Sequence, residues 1–342
     1  MAANVNVDKK QQPALTLFVI GLAGLGVLAL HYGDFALVWQ PVPAWVPART
    51  ALAYGSGVVL LALAAGLLSG RTRAWSVRIL FPFLLLWACL KLPEVAHAPG
   101  REASWLGLGE LTLLLSGGWT LFASLGQVTE GSALAFLAGK RGLRAARYLF
   151  AVSIIPIGLS HLVYLQTTAS YVPAWLGFPR GWAILTGSGQ IASGLGVLFN
   201  VLPRVAAYAE AAQIMIYTFL VWAAAFLAVE SRLNVTAFFI SWVFGAAAWA
   251  VAQNVPAKHW FGRQRERGGP LSRTRPRHSP ASRANLLCED PALATDFAPT
   301  SPCSPLFCPA AAFRESHLRP PWVPRERQNR PWPPTQKEPA RL

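Results

Sequence analysis

The side chains with the greatest chemical capacity in this chain lie among apolar neighbours. Glu110 sits five residues beyond Trp105 in a stretch that also holds Gly107, Gly109, Gly117 and Gly118. A charged side chain at the centre of a membrane helix costs about 2.5–3.5 kcal/mol, so such a group faces protein or water. Glu110 could serve a proton or a ligand; a carboxyl packed against a neighbouring helix is the simpler reading, with His31 and Lys91 as the donors nearest by topology. His31 and His161 each stand eleven residues before the tetrapeptide Val-Pro-Ala-Trp, at 42–45 and 172–175. A recurring imidazole could act as a pH-responsive or metal-ligating pair, or as an interfacial anchor for loop carbonyls, which is preferred. Gln190 and Gln213 are placed to bond across helices, each worth about 1 kcal/mol or less. Glu210 reads as an interfacial partner of Arg204.

No spacing of His, Cys, Asp and Glu matches a zinc or haem pattern. There is no Cys-x-x-Cys, no His-Glu-x-x-His, no nucleophile elbow and no phosphate loop with its lysine. Gly187-Ser188-Gly189 follows no strand pattern, so it belongs to helix packing rather than to a dinucleotide fingerprint. The sequence therefore assigns no catalytic, cofactor-binding or metal-binding residue, and an enzyme is not favoured.

The elements that must position these residues are apolar helices. The composition is 54% hydrophobic and only 13% charged, about half the charge of an ordinary soluble domain. About 20 mostly apolar residues cross a bilayer. Eight runs qualify, at about 14–31, 51–69, 76–92, 105–125, 147–166, 181–199, 205–229 and 235–252. The first is too long for a signal-peptide core and lacks a small-x-small site before Asp34, so it reads as an uncleaved helix. The third is the weakest, interrupted by Pro82 and crowded by Arg78 and Lys91. The fold class is thus all-α: a polytopic membrane protein with eight spans and contact with the lipid bilayer.

The formal net charge of +15 is not a nucleic-acid footprint, because residues 1–252 hold 15 basic and 8 acidic side chains scattered between apolar runs. Alternate loops carry the basic residues Arg71, Arg73 and Arg78, then Lys140, Arg141, Arg144 and Arg147, then Arg204. The positive-inside rule makes that side cytoplasmic. Eight spans then put both termini in the cytoplasm of a cell whose inner (plasma) membrane holds the chain.

The histidine and Val-Pro-Ala-Trp pair recurs at a spacing of 130 residues, and Gly55-Ser56-Gly57 matches Gly187-Ser188-Gly189 with a two-residue insertion. This predicts two tandem four-helix units, 1–126 and 147–255, joined by a basic cytoplasmic linker at 127–146. Four is even, so the repeats are parallel. Trp45 and Trp175 fit an outer aromatic belt, and the adjoining prolines imply a loop that partly re-enters. Aligning glycines places Phe238 opposite Glu110. Residues 256–342 hold 16 of the 27 prolines and three of the four cysteines, with no hydrophobic period; they read as a disordered basic tail. Lys258 to Arg283 could touch anionic lipid, and the abrupt loss of pattern after Val255 is what a shifted reading frame would give.

A helix ending in His, a Val-Pro-Ala-Trp loop and a helix of the type TGSGQIASGLGVLF (186–199) resemble the DoxX-like membrane proteins. The resemblance is best over 148–252, weaker over 15–123, and absent from the tail. Relatives with an acidic residue in the second helix differ from this chain, which has Gln190 and Val58 there; where some carry paired cysteines, its body has Cys89. The resemblance implies a non-catalytic membrane partner of a redox or respiratory assembly, with a redox-enzyme subunit or quinone nearby. Two alternatives are a small-solute or proton-coupled transporter or channel, and a quinone-reactive oxidoreductase subunit.

Overall fold

A computed structural model describes residues 2–256 apart from 130, 133 and 230, with side chains from Gln11 onward. The expected tail, with Lys258 to Arg283 and its three cysteines, lies outside the described residues but for residue 256. Every regular element among the described residues is helical. The long helices are α1 (Ala2–Tyr32), α2 (Arg49–Leu68), α3 (Arg73–His97), α4 (Glu102–Leu125), α5 (Gly139–Val163), α6 (Pro179–Leu198), α7 and α8 (Arg232–Asn254). Helix α7 runs through Pro203–Tyr217, a π-helical segment Thr218–Ala223 and Ala224–Ala228. A short helix, Leu165–Ser170, follows α5.

Seven of these helices are long and apolar enough to cross a membrane. The one that falls short is α6, the helix of the sixth expected span. Its 20 residues reach about 30 Å at 1.5 Å per residue, but Gly187, Ser188, Gly189, Gln190 and Ser193 dilute its apolarity. Pro82, Pro93 and Pro156 lie within α3 and α5 without ending them, as neighbouring helices permit. Helix α5 begins at Gly139, so the basic residues Lys140, Arg141 and Arg144 of the expected linker occupy its first turns.

Helices α2, α3 and α4 begin at Arg49, Arg73 and Glu102; α6, α7 and α8 begin at Pro179, Pro203 and Arg232, each 130 residues further on. That interval equals the spacing of the two Val-Pro-Ala-Trp loops, and it puts the glycine triplets two residues out of register. Packing follows the same order: α1 lies on α2 and α3 on α4, as α5 lies on α6 and α7 on α8. Between the halves, α4 packs on α5, α8 packs on α1, and α4 crosses α8. At that central crossing Gly117 faces Ala247, leaving no room for a side chain.

Glycine also sets the α1–α2 and α5–α6 contacts. A Cβ on Gly26 would come 3.0 Å from the Gly57 carbonyl, and one on Gly57 would come 3.1 Å from that of Gly26. Gly158 and Gly187 stand in the same mutual relation at 2.7 Å each way. Such close backbone approach is how small residues hold membrane helices together, since lipid supplies no hydrophobic drive between them.

Candidate functional site

Polar groups in the second half form a seam between α5, α6 and α7. On α7, Glu210, Gln213 and Tyr217 follow at helical spacing and so share one face. Glu210 is completely buried and Gln190 nearly so, and Gln190 Nε2 donates to Glu210 Oε1 at 3.3 Å. Ser193, one turn along α6, borders the same carboxyl. Gln213 Nε2 donates to the Thr186 carbonyl at 2.9 Å and to the Tyr217 hydroxyl at 3.1 Å. The Thr186 hydroxyl donates to the Trp182 carbonyl at 2.7 Å, so it accepts from His161 Nδ1 at 3.2 Å. The His161 ring lies 5.8 Å from that of Tyr217.

Local sequence makes room for this seam. A side chain at Gly189 would meet Gln213 Oε1 at 3.0 Å, and one at Gly187 would meet His161 Cβ at 2.7 Å. Seven residues separate Pro203 from Glu210, and seven more lead to Tyr217. At 1.5 Å per residue these groups stand about 10 and about 21 Å from the turn that joins α6 to α7. The π-helical segment begins one residue beyond Tyr217, and such segments are frequent at functional sites. There Thr218 and Ser241 share a 2.8 Å hydrogen bond to α8.

The first half is polar elsewhere. Its outer loop forms one 3-10 turn, Leu37–Trp39. Gln40 is buried against the Ser56 hydroxyl at 2.8 Å, and its Oε1 accepts from the Ala36 amide at 2.9 Å. Pro43, Ala44 and Trp45 remain outside with Trp45 81% exposed; Trp175, beside Pro173 and Ala174, is 73% exposed. Val42 accepts from Arg49 Nε through its carbonyl at 3.3 Å, whereas Val172 closes a turn by donating to the Ala169 carbonyl at 3.2 Å.

The donor to Glu110 is neither of those expected. Trp39 Nε1 donates to Glu110 Oε2 at 2.8 Å. His31 is exposed, its ring edge-on to Tyr32 at 4.7 Å. Lys91 crosses Gly107 one turn away, with Nζ 2.9 Å from where a Cβ would sit, and pairs with Glu94 at 2.6 Å. Loop closure thus puts an indole where topology pointed to His31 or Lys91. The expected pair of Glu210 with Arg204 is also absent: Arg204 lies over the Tyr208 ring at 5.8 Å while Glu210 turns inward to Gln190.

The two histidines therefore differ, His31 at the surface and His161 in the seam. Outside the spans, Asp34 joins Arg49 and, at 2.9 Å, Arg232. Burial would raise its carboxyl, but hydrogen bonds from the Phe35 amide, Arg232 and Arg49 outweigh it and hold Asp34 below the usual carboxylate range. Across the other junction Glu102 faces Tyr164, whose hydroxyl burial and that carboxyl push up. Among the described residues no three His, Cys, Asp or Glu side chains converge as metal ligands would.

Sequence reasoning missed Trp39 and misplaced Glu210. The spacing of Glu210, Gln213 and Tyr217 was a usable sign; nothing local marked Trp39. Every member of the seam, from His161 to Tyr217, falls within residues 142–223, the segment that matches the DoxX family model. No curated protein and no solved structure matches the chain. With seven helices long and apolar enough to cross a membrane, the chain is a multi-pass membrane protein, similar to the DoxX family over residues 142–223.

Proposed function

We propose that the protein passes protons, alone or with a small polar solute, through the seam of its second half. The observation that carries this reading is the fully buried Glu210 carboxyl, joined to Gln190 on the adjacent α6 and continued by Gln213, Tyr217, Thr186 and His161. Ionisable groups in membrane interiors are costly, and they mark ion pathways and proton relays. In this reading the chain lies in the plasma membrane with both termini cytoplasmic. Two parallel four-helix units enclose a pseudo-two-fold axis at the Gly117–Ala247 crossing. The common 130-residue interval supports that repeat and puts Ile240, rather than Phe238, opposite Glu110.

Reporter fusions at Gly70 and after Gln253 should read cytoplasmic, and those at Ala98 and Ser231 extracytoplasmic. Reconstituted in phosphatidylcholine vesicles with an internal pH dye, the protein should dissipate an imposed proton gradient faster than empty vesicles do. The assay is run with and without a total small-metabolite extract outside. No acceleration in either condition would overturn the reading.

A second reading, the non-catalytic partner of a redox or respiratory assembly, draws on the outer face of α7. Val205, Ile216, Phe219 and Leu227 are exposed there, open to a helix of another membrane protein. Mass spectrometry of what co-purifies in mild detergent tests it: a stoichiometric redox subunit supports it, and lipid alone counts against it.

A further inference from the structure

Glu210 and Gln190 are the most deeply buried polar pair in the seam, and their hydrogen bonds do not balance as a carboxylate and an amide. Gln190 Nε2 supplies one donor, taken by Glu210 Oε1. That leaves Gln190 Oε1 and Glu210 Oε2, both buried and both without a partner. Two orphaned acceptors on one pair of side chains is a costly arrangement, since a buried acceptor without a donor forfeits its water and gains nothing. The groups around the pair supply no cation. Tyr217 on α7 lies within the field of Glu210, and His161 on α5 stands beyond it against the Tyr217 ring. The Ser193 hydroxyl on α6 borders the carboxyl and can donate to it, but that leaves Gln190 Oε1 without a donor. From α8 the packed side chains are apolar, Ala248 and Val251 among them.

One proton resolves both orphans. Placed on Glu210 Oε2, it converts that oxygen from acceptor to donor and directs it at Gln190 Oε1. The amide still donates from Nε2 to Glu210 Oε1, so two antiparallel hydrogen bonds close a ring and every polar atom of the pair is satisfied.

We infer that Glu210 and Gln190 form a neutral carboxylic acid–amide pair, a proton-binding site in the bilayer interior that receives and releases one proton at Glu210 Oε2. The inference rests on the seam as the working site and names its ligand, the proton. Gln190 is a positioning residue: it holds the acid by donating to one oxygen and accepting from the other.

The test is infrared spectroscopy of the whole protein in phosphatidylcholine nanodiscs at pH 7. A protonated carboxylic acid has a C=O band that a carboxylate lacks. The wild type minus Glu210→Gln difference should show one such band. Gln190→Leu should shift it to higher frequency, because the acid loses its amide partner. Glu210→Gln should fold as well as the wild type, since two amides close the same ring, whereas Glu210→Leu should lower the unfolding temperature by stranding Gln190. A Glu210-dependent acid band that Gln190→Leu leaves unmoved, or no such band at all, would overturn the pair. This outcome separates from that of the vesicle assay: a band without proton passage sinks the transport reading alone, and passage without a band sinks the acid–amide pair alone.

Discussion

The two halves are built on one helix order and differ in what fills the space between their second and third helices. Counting 130 residues back from Gln190, Ser193, Glu210, Gln213 and Tyr217 reaches Leu60, Leu63, Leu80, Phe83 and Trp87. Leu60, Leu63, Leu80 and Trp87 are buried, so the residues at that interval are apolar in the first half, where the second has a hydrogen-bonded seam. What is common is the backbone contact, glycine on glycine at Gly26–Gly57 and at Gly158–Gly187. Helix packing and chemistry are therefore separable here: small residues set the approach of the helices, and the face one turn away is free to be apolar or polar. In the proposed reading the first half serves as scaffold and the second carries the site.

The comparison breaks most visibly if a seam residue is moved alone. Leu80→Glu puts a carboxyl at a fully buried position, 130 residues before Glu210, while the buried Leu60 stands 130 residues before Gln190. Without a partner amide it should destabilise the protein by about 3 kcal/mol or more, read as lost monodisperse protein in detergent. Adding Leu60→Gln should recover part of that loss. If Leu80→Glu alone were tolerated, the first half would not be the dry scaffold described.

The glycine contacts should behave alike. Gly26→Val and Gly158→Val each push a branched side chain into a facing helix backbone, at about 1–3 kcal/mol. Thermal unfolding in detergent should give similar losses for both. A large loss in only one half would mean that the shared approach is superficial.

The smallest effect concerns the two outer junctions. Asp34 ties Arg49 to Arg232, whereas Glu102 meets Tyr164; Tyr164 lies 130 residues after Asp34, and Arg232 as far after Glu102. The folded-state value for Asp34 lies below the unfolded one of about 3.9. Its stabilisation is thus present above about pH 4 and fades as pH falls through the lower, folded value. Asp34→Asn should cost about 1 kcal/mol at neutral pH, after allowing for its partial exposure. The unfolding temperature should converge with that of the wild type as the medium is acidified through this range.

Much of this architecture was legible in the sequence, because spanning helices announce themselves by length and apolarity. The limits of α4, α7 and α8 fell within a few residues of the apolar runs. Helix α6 shows the opposite case, a helix whose Gly, Ser and Gln lower its hydropathy because they serve packing and the seam. Gln190 was legible as a residue that bonds across helices, but its partner was not, since the pairing depends on which faces of α6 and α7 meet. Glu210 was misread because closeness to Arg204 in sequence outweighed its helical phase. Trp39 could not be read at all: the loop that carries it folds back to reach α4, 71 residues away in the chain.

The central claim is that the working carboxyl is Glu210 in the seam and that Glu110, held by Trp39, is structural. The most direct measurement compares the two in one assay, proton-gradient dissipation in phosphatidylcholine vesicles by Glu210→Gln and Glu110→Gln, each checked for unfolding temperature. Both changes preserve shape, so both variants should fold. Glu210→Gln should fall to the rate of empty vesicles, while Glu110→Gln stays within about twofold of the wild type. A folded Glu110→Gln that fails to pass protons, beside a Glu210→Gln that passes them at the wild-type rate, would contradict the account.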